Sequence, residues 1–225
     1  SDRLHPTRQF WSAAAGRVGL WGVIVQWIAL MAAGLALAAR VSTGLVVTLG
    51  VLWLMGCVYN IPPVRSKDLP YIDVLTESIN NPLRMLAGWY IAGAASIPPL
   101  SLLLSYWMLG CYFMAIKRFA ELRGSNGEGW IGAYRKSFRY YTEPRLLVSI
   151  AFYASSAMLF LGAFMMRYRL ELILCFPLIA LVMAVYLGIA FNPNSAAQAP
   201  EKLTREPLLM ISAFVCSAAL VTMMF

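Results

Sequence analysis

Residues 170–191 read LELILCFPLIALVMAVYLGIAF, and Glu171 is the one charged side chain among them. An α-helix needs about 20 such apolar residues to cross about 30 Å of hydrocarbon. The stretch therefore predicts a helix that spans a membrane.

The composition of the chain extends this prediction to its whole length. The chain has 225 residues, of which 60% are hydrophobic and 12% charged, and its mean hydropathy is +0.69. Soluble domains are about a quarter charged. We predict an all-α fold, a polytopic transmembrane helical bundle that forms a single domain over residues 1–225. Its seven spans lie at about 17–39, 42–61, 74–96, 97–118, 146–166, 170–191 and 206–225.

Lysine and arginine are unevenly distributed among the segments that connect these spans. Of the 18 cations, 14 lie in the N-terminal segment and in the loops 62–73, 117–145 and 192–206. Cytoplasmic loops are enriched in Lys and Arg, so these segments are predicted to lie on the cytoplasmic side of an inner membrane. The net charge of +8 is then explained mainly by membrane topology. It does not require a nucleic-acid partner. The loop 117–145 is long enough to be a lid, although residues 130–141 also fit a helix that lies at the membrane interface.

Polar residues between positions 73 and 84 form the most informative pattern. Asp73, Glu77, Asn80, Asn81 and Arg84 recur at steps of three and four, which places them on one stripe of a helix. Ionisable groups inside a span are costly unless they are paired or hydrated. The stripe therefore predicts a water-filled functional cavity, and the alternative is a buried polar network that holds helices together.

Two further spans end in charged residues on the same side. One ends at Tyr59 and continues to Lys67, and the other ends at Lys117 and Arg118, with Glu121 one turn further on. A ladder of surface ion pairs would show the same local spacing. Because three charged helix ends gather on one membrane face, we predict a shared anion site in which cations bind phosphate and Mg²⁺ bridges carboxylates to phosphate oxygens. The chain has one histidine and four isolated cysteines, so any metal must be held by oxygen atoms.

The start of the chain resembles the UbiA superfamily of intramembrane prenyltransferases. Residues 2–8 read DRLHPTR and residues 14–17 read AAGR, where the family has Arg-x-His-Pro-x-Lys after an Asn-Asp-x-x-Asp-x-x-x-Asp motif. The resemblance implies that the chain begins within this motif. Two upstream helices would then complete the nine of the family fold.

Later segments are similar to the same family and to one of its branches. Residues 59–67 resemble its Tyr…Lys element, and residues 70–73 resemble the segment that follows. Residues 117–122, 135–137 and 141–142 are similar to the branch that transfers phosphoribose from phosphoribosyl diphosphate to a polyprenyl phosphate. The resemblance implies a Mg²⁺-dependent transferase that acts on a polyprenyl phosphate or a prenyl diphosphate, with the isoprenoid tail in the apolar interior.

Roles for single residues follow from the resemblance. It implies the catalytic residues Lys67, Asp73, Glu77, Lys117 and Glu121, the substrate-binding residues Arg8, Tyr59, Arg65 and Arg118, and the metal ligand Asp2. The helical stripe alone adds Asn80, Asn81 and Arg84 to the predicted substrate-binding residues.

Two other classes of function stay open. Trp11-Ser12 stands where the family has Arg-Pro, which removes a phosphate contact and favours a catalytically silent subunit of a membrane complex. A transporter would more naturally show interrupted helices in paired halves, and the sequence has no convincing internal repeat. We therefore favour the transferase.

Overall fold

The computed structural model describes residues 19–125, 132, 135–192, 195–198 and 200–224. Every regular element in these residues is a helix, which confirms the predicted fold class. Among them, five helices are long and apolar enough to cross a membrane, and Pro207–Met223 is a shorter apolar helix. The protein is therefore an integral membrane protein.

Eight α-helices make up most of the described chain. In order they are α1 (Leu20–Ala38), α2 (Thr43–Asn60), α3 (Ile72–Ser78), α4 (Asn80–Ile91), α5 (Leu100–Gly124), α6 (Glu143–Tyr168), α7 (Phe176–Ala190) and α8 (Pro207–Met224). Short 3₁₀ turns lie at Ser66–Asp68, Lys136–Arg139, Leu170–Cys175, Ala196–Gln198 and Pro200–Arg205.

The third and fourth predicted spans differ most from the observed helices. The stretch predicted as one span at 74–96 is divided into α3 and α4 at Ile79, whose backbone angles stay helical. Pro82 has no N–H with which to bond the carbonyl of Ser78, so the helical ladder is interrupted there. In addition, α5 continues to Gly124, so the loop predicted from residue 117 begins about two turns later than expected.

The chain divides into two compact units, one within residues 1–98 and 128–141 and the other within 99–127 and 142–225. In the first unit, α2 packs against both α1 and α4. Ser42 caps α2, because its hydroxyl accepts a hydrogen bond from the N–H of Leu45 at 3.1 Å. The end of α2, the turn Ser66–Asp68, the start of α3 and the turn Lys136–Arg139 surround the polar residues discussed below.

The second unit is organised around α5, which packs along α6. Cys111, Ala115, Ile116 and Phe119 of α5 are fully buried and form its core. Thr142 caps α6 by accepting a hydrogen bond from the N–H of Arg145 at 3.4 Å. The single domain inferred from the sequence stays a prediction.

Candidate functional site

The connection between α2 and α3 has an unusual backbone. Arg65 and Tyr71 both have positive φ, at 35° and 63°. Such conformations cost a non-glycine residue on the order of 1–3 kcal/mol, and they cluster at functional sites. The N–H of Arg65 bonds to the carbonyl of Ile61, and its own carbonyl accepts from Asp68, both at 3.0 Å. The segment is therefore held in a defined shape between the two helices.

Asp73, in the first turn of α3, is the centre of a buried polar network. Its side chain is 0% exposed. The hydroxyl of Tyr141 donates to Oδ1 at 2.5 Å, and the hydroxyl of Ser137 donates weakly to Oδ2 at 3.5 Å. Arg135 Nη1 lies 3.6 Å from the same Oδ2, and the N–H of Tyr71 donates to the Tyr141 oxygen at 2.7 Å. Both oxygens of this carboxylate therefore have partners, which a charge buried from water requires.

Glu77 lies one turn after Asp73 and extends the same network to α2. The hydroxyl of Tyr59 donates to Glu77 Oε2, and Arg135 Nη1 donates to the Tyr59 oxygen at 3.0 Å. The guanidinium of Arg135 also lies 5.9 Å from the centre of the Tyr59 ring, close enough for a cation–π contact. We call Tyr59, Asp73, Glu77, Arg135 and Tyr141 the Arg135 cluster, because this 12% exposed arginine contacts residues of both α2 and α3.

Two cations lie beside the Arg135 cluster, at the end of α2. Lys67 Nζ donates to Asn60 Oδ1 at 3.2 Å, and the carbonyl of Lys67 accepts from Ser137 at 3.4 Å. Arg65 Nε lies 3.1 Å from an oxygen of Asp68, but its N–H is not aligned for a hydrogen bond and has no other partner. The structure thus places predicted residues Tyr59, Lys67, Asp73 and Glu77 close together.

The other residues of the predicted stripe differ in their burial. Asn80 and Asn81 are half-buried, and Arg84 is exposed. Asn80 Oδ1 and the hydroxyl of Ser78 are buried atoms without a hydrogen-bond partner. A buried network therefore exists around Asp73 and Glu77, although Arg84 is not part of it. The unpartnered amide oxygen of Asn80 is a place that a water molecule or a ligand would satisfy.

In the second unit, the end of α5 carries a buried ion pair. Arg118 Nη1 lies 2.8 Å from Glu121 Oε2, and the Arg118 side chain is only 2% exposed. This burial excludes a surface ion-pair ladder for the pair. Lys117 is half-buried, and Gln198 Nε2 donates to the carbonyl of Ala120 at 3.0 Å. The shared anion site predicted from all three helix ends stays a prediction.

Asp73 and Glu77 are among the carboxylates of the predicted site that the structure describes. In the described part of the chain, no group of three or more His, Cys, Asp or Glu side chains could hold a metal ion. Both oxygens of Asp73 and Oε2 of Glu77 already accept hydrogen bonds from protein donors. In this structure these two carboxylates act as hydrogen-bond acceptors for protein donors. The predicted ligand Asp2 and the predicted phosphate-binding Arg8 lie outside the described residues.

Three members of the network were absent from the predicted site. Arg135, Ser137 and Tyr141 contact Asp73 from 62 to 68 positions further along the chain. The one available signal was the similarity of residues 135–137 and 141–142 to the phosphoribosyl branch, which carried no assignment to a particular partner.

The chain is similar in sequence to one known protein and in fold to another. No family model matches the chain. Over 155 residues it is 34% identical to the decaprenyl-phosphate phosphoribosyltransferase of Corynebacterium glutamicum, an alignment that covers 65% of this chain and 42% of that protein. The chain thus matches less than half the length of that relative.

A solved structure agrees over a longer range. The fold matches a UbiA homolog from Archaeoglobus fulgidus, solved bound to Cd²⁺, with a TM-score of 0.68 and 19% sequence identity. The match covers 100% of this chain and 80% of that one. The chain therefore has the fold of this UbiA homolog, as the resemblance of its motifs implied.

Proposed function

We propose that this protein is a membrane transferase that moves the phosphoribosyl group of phosphoribosyl diphosphate to a polyprenyl phosphate. The observation that carries the proposal is the Arg135 cluster at the end of α2, with Lys67 beside it, in a chain with the UbiA fold. The sequence similarity to a decaprenyl-phosphate phosphoribosyltransferase supports this choice of donor and acceptor.

The proposed reaction replaces one bond of the anomeric carbon with another. The bond to diphosphate breaks, and the diphosphate leaves with the electron pair. An oxygen of the lipid phosphate then bonds to the same carbon, which has oxocarbenium character in between. Positive groups fixed near the leaving oxygens stabilise the transition state. Lys67 would supply one such charge, because an ammonium binds phosphate as a compact point charge.

The carboxylates of the Arg135 cluster have a different proposed role. Asp73 and Glu77 are positioning residues, because Asp73 faces Arg135 and Glu77 holds the Tyr59 hydroxyl to which Arg135 donates. An arginine fixed in this way places a positive charge beside a bound phosphate without reorganisation. The roles inferred for Lys117, Arg118 and Glu121 in the second unit stay predictions.

A divalent cation is part of the proposal. The Archaeoglobus homolog was solved with Cd²⁺, which supports metal dependence, and Mg²⁺ is the ion that we propose for this protein. Asp2 and other oxygen ligands would hold it, while Asp73 and Glu77 accept the hydrogen bonds of the Arg135 cluster. We also propose that Lys67 lies on the cytoplasmic face of an inner membrane, which the distribution of 14 of the 18 cations supports.

A turnover assay tests the function. Full-length protein in detergent with Mg²⁺ would receive labelled phosphoribosyl diphosphate and decaprenyl phosphate, and we expect a lipid-linked phosphoribosyl product. Lys67→Ala and Arg135→Gln should each lower kcat/KM by about 100-fold, the effect of removing a preorganised charge from a developing anion. Lys202→Ala is the matched control, because Lys202 is an exposed cation in the turn Pro200–Arg205.

Two other results would contradict the proposal. Product from a prenyl diphosphate and an aromatic acceptor, with none from the first pair, would indicate ordinary prenyl transfer. Folded protein without turnover on either pair would favour the catalytically silent subunit of a membrane complex.

A further inference from the structure

A strained turn joins the segment that carries Lys67 to α3. Its central residue, Tyr71, has φ of 63° and ψ of −37°, and the N–H of Ile72 donates to the carbonyl of Pro70 at 2.8 Å. A hydrogen bond between residues two apart, closed around a positive φ, makes a γ-turn of the rare and strained type. Glycine accepts a positive φ without a clash at Cβ. A tyrosine in this position therefore requires contacts that hold it there.

Tyr141 supplies such a contact on the backbone itself. Its hydroxyl oxygen accepts a hydrogen bond from the N–H of Tyr71 at 2.7 Å and donates its own hydrogen to Asp73 Oδ1 at 2.5 Å. The same hydroxyl thus connects the centre of the γ-turn to the first turn of α3. The carbonyl of Tyr71 accepts the N–H of Leu75 at 3.0 Å, so both backbone groups of Tyr71 are bonded in the strained conformation.

The packing of the Tyr141 ring fixes the position of this hydroxyl. The residue is only 4% exposed. Its ring meets the ring of Tyr71 edge-on at 5.6 Å and 78°, and the ring of Phe138 at 5.9 Å and 81°. Edge-to-face pairs of this kind are favourable. Loss of the hydroxyl alone therefore leaves these ring contacts in place and removes only the two hydrogen bonds.

The γ-turn determines the direction of the chain near Lys67. Three residues separate Lys67 from Tyr71, and they are tied to their neighbours by backbone hydrogen bonds. The N–H of Leu69 donates to the carbonyl of Ser66, and the carbonyl of Leu69 accepts from the N–H of Asp73, both at 3.0 Å. A change of φ at Tyr71 therefore changes where the turn Ser66–Asp68, with Lys67 in it, lies relative to α3.

We propose that Tyr141 is a positioning residue, which holds the strained γ-turn at Tyr71 and thereby keeps Lys67 in place for the leaving diphosphate. This inference rests on the proposed function, in which Lys67 stabilises the leaving group. It adds a residue that acts through the backbone of Tyr71. Without the Tyr141 hydroxyl, Tyr71 relaxes toward negative φ, the region that side chains other than glycine prefer, and Lys67 is displaced.

Turnover of Tyr141→Phe tests the loss of the hydroxyl. Full-length protein in detergent with Mg²⁺ would receive phosphoribosyl diphosphate and decaprenyl phosphate. We expect kcat to fall about tenfold, the rate equivalent of one hydrogen bond lost inside the protein. KM for decaprenyl phosphate should be unchanged, because Lys67 acts on the leaving group in the transition state. Tyr106→Phe is the matched control, because Tyr106 is an exposed tyrosine on α5, and it should turn over like the wild type.

Substitutions at Tyr71 separate positioning from stability. Glycine and alanine both remove the ring, but only glycine accepts the positive φ without strain. In the background of Tyr71→Gly, Tyr141→Phe should therefore lower kcat by less than about threefold. In the background of Tyr71→Ala it should still lower kcat by about tenfold or more. A cost that came from the lost bond to Asp73, or from general instability, would be equal in the two backgrounds and would overturn the inference.

Hydrogen exchange reports on the turn without turnover. The amide hydrogen of Tyr71 should exchange at least about tenfold faster in Tyr141→Phe than in the wild type, because its acceptor is lost, and Tyr106→Phe should not change this rate. Faster exchange with normal turnover would overturn the positioning role and leave the transferase intact. Unchanged exchange would overturn it as well, since Tyr141 would then not hold Tyr71. Absence of turnover in the wild type would instead refute the proposed function, and the role of Tyr141 with it.

Discussion

Replacement of Asp73 tests the buried network most directly. Asp73→Ala removes the acceptor for Tyr141 and Ser137, and it removes the negative charge 3.6 Å from Arg135. Removal of one partner from a buried ion pair costs about 3–5 kcal/mol, because the other charge stays buried. Arg135 is 12% exposed and keeps its bond to Tyr59, so we expect the lower end of this range, about 3 kcal/mol.

Two further variants divide this cost into its parts. Asp73→Asn keeps the shape and an acceptor for Tyr141 but loses the charge, and it should cost about 1–2 kcal/mol. In the background of Arg135→Met there is no guanidinium to leave unpaired. Asp73→Ala should therefore be less damaging there, with a coupling energy of about 1–2 kcal/mol.

The measurement is the free energy of unfolding from SDS titration in mixed micelles. Asp68→Ala is the matched control, because Asp68 also faces an arginine at 3.1 Å but the two side chains are 17% and 34% exposed. Such a pair contributes below about 1 kcal/mol. If Asp73→Ala costs no more than Asp68→Ala, or if the coupling with Arg135→Met is zero, Asp73 does not have the role assigned to it.

Two other pairs of substitutions test the packing in the first unit and the buried ion pair in the second. A Cβ at Gly44 would lie 2.6 Å from the ring of Tyr90, so Gly44→Ala should destabilise the protein by about 1–3 kcal/mol. Gly50→Ala, in the same helix but with open space around its Cβ, should stabilise the protein by up to about 1 kcal/mol. Thermal unfolding in detergent measures the stability of both variants. Equal effects would contradict the close packing of Gly44 against Tyr90. Glu121→Gln should cost about 3 kcal/mol because the guanidinium it faces is buried, whereas Glu143→Gln, in an exposed pair, should cost under about 1 kcal/mol. Similar values for the two would show that burial of the pair on α5 has no energetic consequence.

Hydropathy was sufficient to predict the five long apolar helices, because a spanning helix needs about 20 apolar residues to cross the hydrocarbon. The five helices that are apolar enough to cross a membrane all coincide with predicted spans. The polar stripe was also predictable, since Asp73 and Glu77 are one helical turn apart. Their partner Tyr59 came from the resemblance.

The remaining features depend on contacts between distant parts of the chain. Sequence spacing predicts which residues are neighbours on one helix. It does not predict which distant loop contacts Asp73. Arg135 is 76 positions from Tyr59, to which it donates a hydrogen bond. The interruption at Ile79 was readable in principle from Pro82, because proline is favoured in the first turn of a helix. Proline is also tolerated within spanning helices, so the residue alone did not decide between the two.

The distance along the chain within the Arg135 cluster has a consequence for biosynthesis. Ser137 is 64 residues after Asp73, and ribosomes add about 5–20 residues per second. Asp73 is therefore synthesised about 3–13 s before the segment that contacts it. A carboxylate without its protein partners is better solvated by water than by hydrocarbon, so we expect the start of α3 to stay at the membrane surface while α4 and α5 are made. A nascent chain halted before residue 135 should accordingly expose this carboxylate, and the arrival of residues 135–141 completes the assembly of the first unit.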